Sequence, residues 1–515
     1  SDLLVQSFLK ETNFHYCCLY PQTFTDQYST CWEDRAEGRM LCPEFTCLLL
    51  RVCACSFQYL APSLRQKIEL ELGERAQNFN ERCHQAARHL SNAIHPGQSG
   101  LTQIQQLFLT SLWHKAEARF VESWHLLASS IHNAQELGRE TLIFHAKVSE
   151  FETEMRRRVW CLLYAWDWQM SILLSRPWII NENACLFKFP SMRLENLDDR
   201  SQSPSPIAHM VLECHLGQEL SKIPGVVSDI LSAGQAETIQ VVTEKWTSTF
   251  PPEYKPDQPD LKWDEKLSYV KLGWSQLHVV AYLTILAPLK CHLVRHESSD
   301  PPSEGYESKI KAVDTSILLM GAAHRLFDCV FPARATFHMA SFLVFDTASF
   351  LCAALIGDNS RRLPRRDELL EAVRLAMQTV EKLSHITKTG AICYVILQRL
   401  LARLSLSSTE NRILHGMQVK ITEPPLEVSS DLENRPSLPH NHPTLARDDQ
   451  SHYTRPAGLD HVLAPELTVR QQSLDFNDFS NADFGEFNQI WDWDALGLDF
   501  DLFAPTLEDP SVVSY

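Results

Sequence analysis

At 515 residues the chain exceeds the usual single domain, and its 44% hydrophobic and 22% charged residues suit a globular protein with a sizeable core. The formal net charge is −17, yet from Asp475 onward ten acids stand without one Lys or Arg, which leaves the rest at about −7. Such a balance excludes the clustered Lys and Arg face that displaces counterions from duplex DNA. The chain opens on Ser1 rather than Met, as a fragment or processed product would, and no charged n-region with an apolar h-region follows. Its fifteen cysteines contain no C-x2-C pair and no asparagine begins an N-x-S/T sequon. Both features point to a reducing compartment with cysteines used as small buried apolar residues.

Residues 1–60 read as two helices around a loop, the second, "EFTCLLLRVCACSFQYL", apolar enough to be buried. Over 117–137 one face carries Phe120, Trp124, Leu127, Ile131, Ala134 and Leu137, with Gly138 as the expected stop. Ser149-x-x-Glu152 is a capping-box pattern that opens the next helix. Its core stripe is Met155, Val159, Leu162, Trp166, Met170 and Leu173, and Pro177 ends it. Glu152–Arg156 and Glu154–Arg158 are i,i+4 pairs, each worth about 0.2–0.5 kcal/mol on an exposed face.

After a Ser-Pro loop at 198–208, helices are expected over 207–222, 229–249, 266–295, 307–330, 334–357 and 366–405. The apolar run at 335–357 is long enough to span a bilayer, but Asp346 at its centre favours a buried core helix and no membrane contact. No stretch alternates with period two, so the fold class is all-α: one large regulatory body over 1–415. The polar, proline-bearing stretch 416–470 reads as a disordered linker, and 471–515 as an acidic-aromatic tail.

Catalytic signatures are absent: there is no G-x-S-x-G, no phosphate-cradling Gly-rich loop, no H-E-x-x-H and no G-x-G-x-x-G. Asp198-Asp199 lacks a third acid in register for a magnesium site, and His440 with His442 is an isolated pair in the linker. No catalytic or metal residue is therefore assigned. Arg361-Arg362 and Arg365-Arg366 around Pro364 fit either a short nuclear-import signal or a solvated loop leading into the helix at 366.

The run "EMRRRVWCLLYAWDWQMSILLSRP" resembles the middle homology region of fungal zinc binuclear cluster (Zn2Cys6) transcription factors. The matching positions are Glu154, Arg156, Arg157, Arg158, Trp160, Asp167, Arg176 and Pro177. Ser175 stands where the family usually has Gly, and Trp168 where an Arg often follows the Asp. Ala134, Leu137 and Gly138 fit the family's preceding A-x-x-L-G helix, Phe24 its opening loop, and "KWTSTFPPEY" its later part, so the resemblance covers about 1–410. It implies packing roles for the matched residues, through buried ion pairs and stacking. It also implies nuclear action on RNA polymerase II genes, such as a metabolic gene cluster, and possible homodimers, although no sustained heptad run is present. The family's zinc cluster needs C-x2-C-x6-C twice over, and no cysteine here has that spacing. DNA binding is thus expected only through a zinc cluster outside these residues; a coregulator without its own DNA-binding head is the alternative, ahead of an all-α enzyme.

That resemblance gives the tail a use. In "DFNDFSNADFGEFNQIWDWDALGLDFDLF" eight aromatic rings lie among seven aspartates and one glutamate. Mutual repulsion of the acids opposes collapse of the rings and leaves them presentable to an apolar groove on a transcriptional coactivator. The contact residues read from this pattern are Phe476, Phe479, Phe484, Phe487, Trp491, Trp493, Leu496, Leu498, Phe500 and Phe503. The densest part is Trp491–Phe503.

Overall fold

A computed structural model describes residues 1–415, apart from 96–99, 145–147, 182–187, 192–193, 195–202, 228–230, 295–303, 333 and 336. Among the described residues all regular elements are helical and there is no strand, so the fold is all-α. The linker and tail read from the sequence at 416–515 lie outside the described residues.

The chain begins with α1 (Asp2–Phe8), a π turn and the single turn α2 (Phe14–Tyr16), then α3 (Pro21–Ala36) and α4 (Pro43–Gln58). Where a loop was expected between two helices, α3 fills it. Pro21 and Pro43 sit at the first helical positions, where their missing N–H costs nothing. Next come α5 (Pro62–Leu72), α6 (Ala76–Ala93), α7 (Gly100–Ala116) and α8 (Phe120–Phe144). Gly138 does not stop α8: no neighbouring atom lies within 4 Å of a Cβ placed there, and the helix runs on for a further six residues. The predicted face holds, with Phe120, Leu127 and Ile131 buried and Trp124, Ala134 and Leu137 packed at its edge.

Central to the molecule is α9 (Glu150–Leu174), followed by α10 (Ala208–Ser221) and α11 (Ala236–Ser248). Then come α12 (Ser268–Leu286), α13 (Lys290–Val294), α14 (Glu304–Val330), α15 (His338–Gly357), α16 (Arg366–Ser384), α17 (Lys388–Leu401) and α18 (Ser408–Leu414). The stretch Ser268–Val294 is long and apolar enough to cross a membrane by composition, but most of it is buried among the other helices. One continuous hydrophobic core runs from Leu4 to Leu400, with two small satellite clusters. The described cysteines are free thiols and mostly buried, with Cys42 exposed.

Charged groups inside this core are handled in three ways. Asp346 on α15 is paired with Lys290 on α13. Arg51 on α4 is buried with no carboxylate partner among the described residues and donates to Nδ1 and the carbonyl of His84, at 2.9 and 3.2 Å. His84 in turn stacks on Trp113, 3.6 Å between ring centres. Lys115 is buried with its ammonium 4.0 Å from the centre of the Trp166 ring, and desolvation holds its pKa well below the usual lysine value.

The basic run at 361–366 is solvated at Arg361, Arg362 and Arg365, as expected of a loop leading into the helix, but not at its last arginine. Arg366 is only 10% exposed and bridges Asp358 and Glu410, at 2.9 and 2.7 Å. Arg365 joins Asp314 to Glu368, and Arg361 reaches Glu410. Three of its four arginines are thus paired with the remote acids Asp314 and Glu410, which a local reading does not reveal.

The helix expected over 366–405 is broken at Ser384. Thr387 caps α17 by accepting from the Gly390 N–H at 2.9 Å, and Gly390 lies directly against the end of α16. A Cβ at Gly390 would meet the carbonyl carbon and oxygen of Leu383 at 2.5 and 2.6 Å. Backbone cannot move aside as a side-chain tip can, so Gly390→Ala is expected to lower stability by about 2 kcal/mol or more. Urea unfolding of the full chain, followed by far-UV circular dichroism, checks this; an unchanged midpoint would show that the corner relaxes freely.

Candidate functional site

The residues singled out in the sequence meet along α9. Ser149 caps its start, its Oγ accepting from the Glu152 N–H at 3.1 Å. Glu152 turns to the side and takes two bonds from Arg156. Glu154 and Arg158 are both buried, their side chains 9% and 2% exposed, with Nε to Oε1 at 3.4 Å. The Glu154 carboxylate also accepts the Ser191 N–H at 2.9–3.0 Å. This is a buried pair holding backbone, and not the exposed i,i+4 pair expected from spacing alone. Arg157 and Trp160 are half-buried, with Trp160 against the core.

Thirteen residues beyond Glu154 on the same helix, Asp167 is buried and accepts the N–H of Ile179 at 3.0–3.1 Å and of Ile180 at 2.7 Å. Burial nevertheless dominates and raises its pKa to about 6, while the two backbone donors pull the other way. The chain reverses between these contacts. Ser175 adopts the left-handed conformation, φ +51°, and the Arg176 N–H returns to the Ser171 carbonyl at 2.9 Å. Ser171 Oγ donates to the Pro177 carbonyl at 3.1 Å, and the Arg176 guanidinium lies over Trp124 of α8 at 4.9 Å. Trp178 closes the turn, its N–H on the Val227 carbonyl at 3.0 Å and its ring beside Trp168.

Sequence reasoning missed the polar group behind this frame. Glu213 of α10 is buried, its two oxygens accepting from Gln169 of α9 at 2.9 Å and Gln276 of α12 at 2.7 Å. No cation faces it among the described partners, and burial raises its pKa to about 7 against the pull of both amides. The only sequence signal was an acid inside the apolar run "HMVLECHLGQEL". Gly217, one turn along α10, lets that helix lie on α9, since a Cβ there would meet Trp168 and Tyr164 at 2.7 Å.

None of this is a catalytic constellation. Among the described residues no three His, Cys, Asp or Glu side chains converge as a metal site. The zinc cluster of the resembling family does not fit these residues either: ten of the described cysteines are buried, and none has its spacing. The candidate coactivator contacts, from Phe476 to Phe503, lie outside the described residues.

Two outcomes are expected from this geometry. Ser175→Gly removes the penalty of a Cβ in the left-handed region and should stabilise the chain by about 1 kcal/mol, read as a higher urea midpoint at unchanged slope. Glu213 holds a proton in the folded state that the unfolded chain, near the reference 4.5, has released. Its neutral form therefore contributes stability that is full below about pH 4.5 and is lost as pH rises through about 7. Glu213→Gln mimics the protonated form, its new amide able to reach Gln276 Oε1, which is buried without a partner. The variant and the parent should melt together at pH 4.5, with the variant about 2–3 kcal/mol more stable at pH 8. Parallel melting curves across that range would show that Glu213 does not titrate there.

Comparison with known proteins places this frame. The family model described as the fungal specific transcription factor domain matches residues 5–278. The probable transcription factor sol4 of Alternaria solani is 24% identical over 297 residues, 55% of this chain and 52% of that protein. Transcription factor xilB of Penicillium rubens is 24% identical over 202 residues, 38% of this chain and 30% of that protein. The chain thus spans about half the length, or less, of these curated relatives, and no solved structure matches it. With more than half its residues matched by that model, the chain belongs to the fungal specific transcription factor domain family.

Proposed function

We propose that the chain is the regulatory and activating portion of a nuclear transcription activator, with the helical body as regulator and the acidic-aromatic tail as the coactivator contact. The observation that carries this reading is the tail itself: a family member carries, over Asp475–Phe503, 29 residues with eight rings, eight acids and no base. Such a segment gains little by burying its rings in its own body, because each ring brings a carboxylate that must stay solvated. On a partner groove with an apolar floor and basic rim, both halves of the pattern are used at once. Both relatives are named as transcription factors, which supports a role in transcription.

DNA reading in this proposal belongs to a zinc cluster outside the 515 residues, and a homodimer would then present two such heads. RNA polymerase II genes, such as those of one metabolic cluster, are the proposed targets. A coregulator brought to chromatin by another protein is the second reading, favoured by the absence of zinc-cluster spacing from these residues. An enzyme finds no support in the catalytic motifs or the relatives.

The decisive experiment fuses residues 471–515 to a heterologous DNA-binding domain and reads a reporter. Replacing Trp491, Trp493, Phe500 and Phe503 together with Ala is expected to reduce output about tenfold or more at equal protein level. Undiminished output from an equally abundant variant would remove the rings from the contact and with them the activator assignment.

A further inference from the structure

A slot between α14 and α16, well beyond the residues the family model matches, has features of a ligand site. It encloses about 370 Å³, the lower end of the range for small-molecule sites. Its walls are Ile317 and Met320 of α14 with Ala372, Leu375 and Ala376 of α16, and Val344 of α15 is its floor. Polar contacts cross it at both ends. Arg365 ties Asp314 to Glu368 at one end, and Thr379 Oγ1 meets His324 Nδ1 at 3.4 Å at the other. On α14 the lining runs from Ile317 to His324, seven residues of helical rise, so the slot is about 10 Å long. Gly321 sits midway and leaves a notch: a Cβ there would meet only Arg325 Nη1, at 3.6 Å.

Charge selects the occupant. Asp367, Glu368 and Glu371 line the slot, with His324 at its far end and no Lys or Arg among the lining residues. Counting its ends and rim, Asp314, Asp367, Glu368 and Glu371 face Arg365 and Arg374, both engaged in ion pairs. On α14 itself, Arg325 lies 5.5 Å from the centre of the Trp274 ring with its Nη1 beside the Gly321 notch. The Asp367 carboxylate has no ion-pair partner among the described residues. An anion, the acidic tail included, would enter against this field, whereas an ammonium on an apolar stem satisfies both the walls and the lip.

We propose that the α14–α16 slot binds an organic cation of about eight to twelve carbons, its apolar part between Met320 and Leu375 and its ammonium at Asp367 and Glu371. This does not depend on the activator assignment.

The test is isothermal titration of the full chain with octylammonium, octanoate and octanol as probes. Octylammonium is expected to bind saturably, at least about tenfold tighter than the other two. Gly321→Leu fills the notch, its Cβ in ordinary contact with Arg325 Nη1 at 3.6 Å, and should weaken octylammonium by about tenfold while leaving the melting temperature of the free protein intact. Asp367→Asn with Glu371→Gln, both at the exposed lip, should bring octylammonium and octanol within about threefold of each other. Octanoate or octanol binding as well as the cation overturns the charge assignment. Cation binding untouched by Gly321→Leu places it elsewhere and overturns the site. A basic amphipathic peptide that binds at Gly321 where octylammonium does not would make the slot a protein-docking groove, which also overturns the proposal.

Discussion

Two carboxylates on one helix hold the middle of this molecule. Asp167 takes the backbone N–H groups of Ile179 and Ile180, and Glu154 takes that of Ser191. The acids are thirteen residues apart on α9, about 20 Å, and the backbone sites they hold are nearly as far apart in sequence but in the reverse order. The chain leaving α9 is therefore fastened back along the helix it came from. Everything after Ser175 depends on that reversal, because α10 reaches the α9 surface, and Trp178 reaches Val227, only from a chain so returned. An N–H held by a buried carboxylate is a stronger tether than one held by a neutral acceptor, provided the carboxylate's own desolvation is met.

That proviso is met only in part. Glu154 has Arg158 beside it. Asp167 and Glu213 have amide donors and no cation among the described residues, so burial drives their pKa values to about 6 and 7. Full ionisation of both at neutral pH costs stability, and the same groups fix how α9, α10 and α12 meet. Lys115 works in the opposite sense: its depressed pKa makes protonation the costly event, as pH falls. The core thus carries acids whose contribution is lost as pH rises through about 6 and 7, and an amine whose contribution is lost as pH falls from the ordinary lysine range, so their effects on stability run in opposite directions with pH.

Much of this was legible in the sequence where one helix speaks for itself. The apolar stripe of α9, its Ser149 start and its end before Pro177 follow from spacing and capping chemistry, and Met155, Val159, Leu162, Trp166 and Met170 are all buried. Illegible features depend on neighbours remote in the chain. Gly138 looked like a stop, but nothing in the structure asks α8 to end there. Arg366 looked solvated until Asp358 and Glu410, forty-four residues away, closed on it. The α3 helix hid because it is mostly polar, burying Phe24 and little else. In the α16–α17 corner, Gly390 reads as an ordinary glycine within an apolar pattern, and only its approach to Leu383 reveals why the helix breaks.

The slot and the α9 frame are separated by one helix. Cys329 on α14 lies 3.5 Å from Ser275 of α12, and the next residue, Gln276, donates to Glu213. Glu213 is in turn held by Gln169 of α9, two residues from Asp167. Proximity of this kind is a route and not yet a coupling, since a ligand shifts an equilibrium only by binding its two states unequally. What the geometry adds is a group able to exist in two states along the route. Glu213, titrating near pH 7, accepts from both glutamines when ionised, and when neutral has a proton to offer the unpartnered Gln276 Oε1. Displacement of α12 by a ligand against α14 would alter that proton's affinity, and reciprocity requires the proton to alter the ligand's. The buried acid, rather than any surface residue, is then where occupation of the slot would be felt by the helix that organises the fold.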